Sequence, residues 1–473
     1  MVYSFLMIVE APDKVLRLAR AVRDAGGRAL LVGGCVRDAL MGRASKDWDV
    51  EVYGVAPANL RALLARLGHV NVVGEAFTVY KLGADLDVSL PRRERKTGRG
   101  HRGFIIEGDP EMDVASAARR RDFTVNAMLA DPLTAEIIDP FDGRADLRRK
   151  LLRAVAPDTF IEDSLRVLRA AQFAARFEFD IAPETVALCR TVDLTDLPAE
   201  RIWGELEKIL LDAARPSVGF EWLGRLGATA QLFPEVQALV GVPQEPEWHP
   251  EGPVDVHTWL VLDRARELLA GLPYAKQVTV MLAALCHDFG KPATTRFIEG
   301  RTRSRGHDEA GVAPTLSFLD RLKIFTLDGY DVRAQVVELV RAHLKPGEFY
   351  YQRAQLGDGA FRRLARRCEL ELLYRVARAD TLGRNAPWVP RAQWFDAVPQ
   401  EWFIARAREL EVAERAPAPL LLGRHLIELG LKPSPRFGRI LSTVYDMQLD
   451  GRVQTLAEAQ AAARQMLAPR IED

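Results

Sequence analysis

Apolar and polar positions alternate along Asp49–Tyr53 (DVEVY) and Thr78–Leu90 (TVYKLGADLDVSL), the period-two pattern of half-buried strands. Arg28–Gly33 (RALLVG) is a short apolar run that ends in Gly33-Gly34. Helical spacing at Lys14–Ala25 and Ala58–Leu67 lies around these segments, so residues 1–150 are predicted to form a mixed sheet with helices. After Lys150 the pattern turns almost wholly helical. FIEDSLRVLRAAQFAARF, opened by Pro157-Asp158, is predicted as one long helix with an acid-rich first turn. Amphipathic helices follow at Glu200–Ala213 and Ser217–Leu226. Residues 242–253 (VPQEPEWHPEGP) have the proline and polar content of a linker. A second helical block comes next, and then a helical tail with one Pro/Gly-marked turn, GLKPSPRFGRIL (Gly430–Leu441). The expected fold class is α+β, a mixed-sheet head followed by helical segments.

A length of 473 residues fits two to four domains at roughly 100–200 residues each. With 48% hydrophobic and 27% charged residues, a mostly disordered chain is excluded. Cys35, Cys189, Cys286 and Cys368 lie far apart without a CxxC pair, so neither a disulfide framework nor a thiolate zinc site is expected. A reducing compartment suits them. No run approaches the ~18 apolar residues of a membrane span. The opening MVYSFLMIVEAPDKV lacks a basic start and soon meets Glu10 and Asp13, which argues against a cleaved signal. A soluble, cytoplasmic protein is expected, with no membrane partner. Lys and Arg (65) balance Asp and Glu (65), so a polyanionic partner would have to be met by local basic patches.

Gly33-Gly34-Cys35-Val36-Arg37-Asp38 follows a predicted strand and opens a helix, where glycines and free N–H groups suit a phosphate. Gly-Gly after a strand is by itself only a tight turn. Lys46-Asp47-Trp48-Asp49-Val50 then places two carboxylates on one face of a strand start. Paired acids repel one another unless a cation joins them, and divalent metals clamping a triphosphate are a common answer. Asp87 could complete such a site, and Asp85 shares its face by the period of two.

LVGGCVRDALMG, KDWDVEVYG, ARRRDFTVNAML (Ala118–Leu129), DPFDGRADLRRKLLRAV (Asp139–Val155) and EDSLRVLRAAQFAARF (Glu162–Phe177) occur in that order. In this the chain resembles the bacterial class II tRNA nucleotidyltransferases, the CCA-adding enzymes, with the bacterial poly(A) polymerases as close relatives. The resemblance implies that Gly33, Gly34 and Arg37 hold a triphosphate and that Asp47 and Asp49 bind Mg²⁺; Asp87 is counted with them as a catalytic candidate. It implies that Arg119, Arg120, Arg121 and Asp122 contact ribose and phosphates, with Asn126 and Arg169 also on the nucleotide. Base choice falls to Asp163 and Arg166, predicted to lie on one face of a helix. A carboxylate only accepts hydrogen bonds and a guanidinium only donates them. Cytosine and adenine each offer an amino donor beside a ring-nitrogen acceptor, so one such pair reads both; uracil and guanine present a carbonyl instead. Glu162 and Arg166 also make an ordinary i,i+4 helix pair.

Residues 92–102 (RRERKTGRGHR) carry six Lys/Arg against one acid and suit a mobile arm for phosphates. In the family this region is a loop involved in switching from C to A addition. Val73–Val79 (VGEAFTV) lacks the Gly-Arg-Arg-Phe signature of the poly(A) polymerases, which favours tRNA over general RNA ends.

His287-Asp288 closes the apolar run VMLAALC, with His257 upstream and His307, His343 and Asp380 downstream. Neutral imidazole plus carboxylate is a ligand set for a divalent transition metal, and a bridging Asp suits two. The order resembles the HD-domain phosphohydrolases, which are fused at this place in some bacterial CCA-adding enzymes and cleave phosphomonoesters or 2′,3′-cyclic phosphates. His249, beside a proline, is read as structural; His69, His101 and His425 lack supporting spacing.

The expected organisation is therefore a nucleotidyltransferase head at 1–150, a helical neck for nucleotide recognition at 151–245, an HD domain at 246–390 and a tRNA-binding helical tail at 391–473. The expected reaction transfers CMP and AMP from CTP and ATP to the tRNA 3′ end and releases pyrophosphate. The rival readings are an A-adding-only enzyme, a poly(A) polymerase, or an HD phosphohydrolase whose head only binds RNA.

Overall fold

The structure is a computed structural model, and it describes residues 10–45, 47–73, 79–96 and 104–467. Two compact units arise: one runs up to Ile209 and includes Val218–Leu232, and the other combines Leu210–Ser217 with the chain from Phe233 onward.

The first unit is built on a seven-stranded sheet. Its order is Val70–Val73, Val79–Leu82, Leu86–Ser89, Trp48–Tyr53, Arg28–Val32, Leu129–Ala130 and Ile137–Ile138. All neighbours are antiparallel except Trp48–Tyr53 and Leu86–Ser89, which run parallel with Asp49 opposite Asp87. Alternation sends Val50, Val52, Leu86 and Val88 into the core. There the helix Asp13–Asp24 adds Val15, Leu18 and Val22, and the helix Pro57–Leu67 adds Leu60 and Leu64. Asp49, Glu51, Asp87 and Ser89 are left on the opposite face, which is therefore polar.

The pattern Thr78–Leu90, expected as one strand, is broken at Gly83-Ala84-Asp85 into the antiparallel pair Val79–Leu82 and Leu86–Ser89. The turn is what folds the second half back beside Trp48–Tyr53. The long helix expected after Pro157 is also two elements, Pro157–Phe160 and Leu165–Phe177. Asp163 therefore stands before the helix that carries Arg166, and not on its face. Of the basic run, Arg92–Lys96 forms a strand paired with Phe104–Gly108, whereas 97–102 lie outside the described residues. Residues 74–78 of the Val73–Val79 segment, as well as Lys46 and most of the opening MVYSFLMIVEAPDKV, lie outside them too.

The second unit is mainly helical, with two short antiparallel hairpins, Arg296–Ile298 with Arg301–Arg303 and Thr326–Leu327 with Tyr330–Asp331. Val254–Glu267, Tyr274–Cys286, Val332–Ala342 and Leu370–Gly383 pack on one another around a core that includes Val261, Met281, Leu339 and Val376. The tail helices Gly423–Glu428, Pro435–Leu449 and Leu456–Leu467 close a smaller core of Leu426, Ile440, Val444 and Ala463. His425 is buried there and accepts the Leu422 N–H, a structural role. Residues 242–253 do not behave as a free linker, because Glu251 is buried and Val254 N–H returns to Val242 O at 3.0 Å. No helix among the described residues is long and apolar enough to cross a membrane.

Candidate functional site

The polar sheet face opens into a cavity of about 1030 Å³. Asp49, Glu51, Asp87 and Ser89 line it from the sheet, Arg120, Arg121 and Asp122 from the motif after it, and Asp163, Arg166 and Arg169 from the helical region. Desolvation in the cavity wall pushes the Asp49 carboxyl above the usual carboxylate range, although the residue keeps solvent access; Arg121 works against this, and Asp87 and Asp47 add to it. A carboxylate raised in this way beside two neighbouring acids is one that a divalent cation would relieve, so Mg²⁺ fits the donors present. Lys81 Nζ, 3.1 Å from both oxygens of Asp87, supplies part of that charge. Asp85, the alternative third acid, pairs with Lys14 and is absent from the cavity wall. The parallel register sets Asp87 directly opposite Asp49 on the cavity side.

Arginines border these acids. Gly33, at φ +73°, has the Arg121 guanidinium so near that a Cβ would stand 2.8 Å from Nη1. A side chain at Gly33 would displace this cation and also strain the backbone. Arg169 donates twice to Asp122 Oδ2, at 2.8 and 2.6 Å, while Asp122 Oδ1 accepts from Phe123 N and Asn126 Nδ2. Burial alone would raise the Asp122 carboxyl, but Arg169 and these hydrogen bonds hold it below its ordinary value. Arg166 donates to the main-chain carbonyls of Thr159 and Arg120, each at 2.7 Å, and so is held by backbone. Asp163 accepts from Leu165 N at 3.2 Å and Arg201 Nη2 at 3.1 Å. Arg201, on the helix Ala199–Leu211, also lines the cavity and escaped the sequence reading. It stands 38 residues from Asp163, and no local spacing could have announced it.

Not every expected residue reaches the wall. Arg37 is buried, donates to Asp38 and Asn126, and lies 4.4 Å from the centre of the Phe177 ring. It thus braces the Gly33-Gly34 turn from inside. Arg119 is exposed and pairs with Asp158 at 2.8 Å. Asn126 is a buried link between Arg37 and Asp122. Asp47 is exposed at the strand start beside Asp49.

In the second unit, His257, His287, Asp288, His307, His343 and Asp380 come together, although 123 residues separate the first from the last. Helix termini do much of this work. His287 and His343 follow the last turns of Tyr274–Cys286 and Val332–Ala342, where free carbonyls are available. Their Nδ1 atoms lie 2.8 Å from Ala284 O and 2.6 Å from Val340 O, and His307 Nδ1 lies 2.7 Å from Ser304 O. These bonds assign each proton to Nδ1 and leave Nε2 as a lone pair. His307 Nε2 and His343 Nε2 then face each other at 3.2 Å with no proton between them. His287 Nε2 and Asp288 Oδ1 are buried without a hydrogen-bond partner among the described residues, while Asp288 Oδ2 lies 3.2 Å from His287 Nε2 and pairs with Lys291. Orphaned acceptors converging in this way fit a divalent metal. Burial, then His307 and His287, push the His343 imidazole down to about 4, so it is neutral at pH 7 as a ligand must be.

Gly290 is what lets His307 approach: a Cβ there would sit 2.0 Å from His307 O. Asp288 Oδ1 is 3.4 Å from His307 Nε2, and Lys291 Nζ is 2.7 Å from Asp288 Oδ2 and 2.6 Å from Gln244 Oε1. A pocket of about 210 Å³ opens over this cluster, lined also by Trp248, His249 and Arg384. Lys291 and Gln244 were not singled out from sequence, although Lys291 closes the HDFGK phrase.

Residues 29–153 match the family described as the Poly A polymerase head domain. Residues 178–239 match the probable RNA and SrmB-binding site of polymerase A, and 254–385 match the HD domain. The Multifunctional CCA protein of Xanthomonas campestris pv. campestris (strain B100) is 39% identical over 369 residues, 75% of this chain and 85% of that protein. That of Nitrosococcus oceani is 36% identical over 424 residues, 85% of this chain and 93% of that one. The fold is similar to the CCA-adding enzyme of Bacillus stearothermophilus in complex with CTP, with TM-score 0.63, 20% identity, and coverage of 96% of this chain and 97% of that one. It is also similar to the Thermotoga maritima CCA-adding enzyme complexed with tRNA, with TM-score 0.57, 18% identity and 98% coverage of both chains.

Proposed function

The chain belongs to the multifunctional CCA protein family, and on that premise we propose that it transfers CMP and AMP from CTP and ATP to tRNA 3′ ends and releases pyrophosphate. One observation carries the reading. A single cavity joins the carboxylates Asp49 and Asp87 to the acceptor–donor pair Asp163 and Arg166, so phosphate chemistry and base recognition share one chamber. Mg²⁺ held by Asp47, Asp49 and Asp87 would polarise the transferred phosphate and make the tRNA 3′-hydroxyl more acidic. Arg121 and Arg120 offer positive charge to the triphosphate. Arg166, fixed by two carbonyls, presents its remaining N–H groups to the ring nitrogen of the base, while Asp163 accepts from the amino group. The protein then reads the base without a nucleic-acid template.

We assign residues 1–150 to catalysis, 151–245 to nucleotide recognition, 246–390 to the HD centre and 391–473 to tRNA binding. The test supplies CTP, ATP, UTP and GTP separately to tRNAs ending before CCA, after C and after CC. CMP should enter the first two and AMP the last. AMP addition only after CC would identify an A-adding enzyme, and long A tracts would identify a poly(A) polymerase.

The convergence of His Nε2 atoms on Asp288 favours a second activity: metal-dependent hydrolysis of phosphomonoesters or 2′,3′-cyclic phosphates by the HD centre. His257, His287, Asp288, His307, His343 and Asp380 would hold the metal, which would activate water, and Lys291 would stabilise the phosphate. Hydrolysis of p-nitrophenyl phosphate and 2′,3′-cyclic AMP across Mg²⁺, Mn²⁺, Co²⁺ and Ni²⁺ tests it; inactivity with all four would overturn it.

A further inference from the structure

His257 differs from the other histidines of the HD centre in what holds it. It lies in the first turn of the helix Val254–Glu267, where N–H groups rather than carbonyls are free. The nearby Val254 carbonyl is already taken by Thr258 Oγ1 at 2.8 Å. A carboxylate fills the gap. Glu251 Oε1 lies 2.7 Å from His257 Nδ1 and 2.9 Å from His249 Nδ1, and its side chain is wholly buried. On the far side of the ring, His257 Nε2 is hydrogen-bonded to Asp380 Oδ1 at 3.1 Å and lies 3.9 Å from Asp288 Oδ2, so a metal bound there would take the place of that hydrogen bond; Nδ1 meets Glu251 at ion-pair distance, outside hydrogen-bond angles. His249 packs edge-on against His257 at 4.8 Å between ring centres.

We propose that Glu251 is the positioning residue of this centre, holding the His257 proton on Nδ1 so that Nε2 faces the metal as a lone pair. His249 anchors the same carboxylate oxygen, Oε1. A carboxylate behind a ligating imidazole fixes its tautomer and strengthens it as a donor, more so than the neutral carbonyls behind His287, His307 and His343. Folding of 242–253 onto the centre follows from this: the segment delivers the orienting acid. The inference rests on the metal-centre reading above.

The test uses the full chain, with Co(II) as the probe, following binding by titration and the visible d–d spectrum. Glu251→Gln keeps the shape but loses the charge, and should weaken Co(II) binding about 10- to 100-fold with an altered spectrum. Glu251→Asp keeps the charge with a shorter reach, and should lose less. Nucleotide addition to tRNA should be unchanged in both, and circular dichroism with thermal unfolding reports that the second unit is folded. Wild-type affinity and spectrum in Glu251→Gln would overturn the role given to Glu251. If Glu251→Gln cannot be obtained folded, wild-type affinity and spectrum in Glu251→Ala would overturn it equally. A wild-type protein that binds no Co(II) would instead overturn the metal centre itself, and this inference with it.

Discussion

Replacing Asp163 probes how the base is chosen. Its carboxylate spends one lone pair on Leu165 N–H and one on Arg201, so each oxygen keeps another for an incoming amino group. Asp163→Ala removes that acceptor and leaves Arg201 without this partner. Arg201 is about one-third exposed and can rehydrate, so the cost to folding should stay within the ~0–1 kcal/mol of an exposed pair. Each polar contact to a base is worth about 1–3 kcal/mol of discrimination, and ~1.4 kcal/mol is tenfold. CTP and ATP should therefore be used less well, and UTP and GTP should compete better. Selectivity should fall about tenfold to a hundredfold. The released Arg201 guanidinium, a donor, adds to this by favouring a base carbonyl. Asp163→Asn should go further, because its amide can offer a donor to the carbonyl of uracil. The assay is kcat/KM for all four nucleotides on tRNA ending before CCA and on tRNA ending in CC. Wild-type selectivity of Asp163→Ala on both primers would refute recognition by this pair.

Asp47→Ala, Asp49→Ala and Asp87→Ala should each abolish nucleotide addition with Mg²⁺, whereas Asp85→Ala, which loses only its Lys14 pair, should keep it; single-turnover incorporation separates the two outcomes. His287→Ala or Asp288→Ala should remove bound Co(II) and any metal-dependent phosphohydrolysis yet spare nucleotide addition, and equal loss of both activities in folded protein would refute separate centres. tRNA affinity should fall ~40-fold between 50 and 200 mM salt if about three phosphates are neutralised, with Arg92–Arg102 and Lys432–Arg439 contributing; a salt-independent Kd by filter binding would exclude this. Asp122, held below its ordinary pKa in the folded protein, contributes stability that is present above the unfolded value of ~3.9 and is lost as pH falls through its lower folded value. Urea unfolding of Asp122→Asn should accordingly show a flatter acid limb below about pH 4 than the wild type.

Much of both sites is legible in sequence because their chemistry sits at local signals. A Gly-Gly pair after an apolar run, two acids two residues apart and a His-Asp pair closing a helix are all short-range patterns, and periodicity places them on strands or helix ends. The sheet-then-helix division follows from the same periodicity, since burial of one face is dictated residue by residue.

Pairing and approach between distant segments are different, because nothing local encodes them. Asp85 and Asp87 are equivalent by alternation, and only the folded sheet sets Asp87 beside Asp49 in the cavity wall while Asp85 pairs with Lys14. Arg37 carries the same charge as Arg121, yet one is drawn inward by Asp38, Asn126 and Phe177 while the other lines the cavity. Arg201 and Glu251 became partners of Asp163 and His257 only once helices and turns had packed. The physical reason is that a buried charge or an orphaned ring nitrogen must be satisfied by whatever segment folding brings beside it. That choice belongs to the tertiary structure.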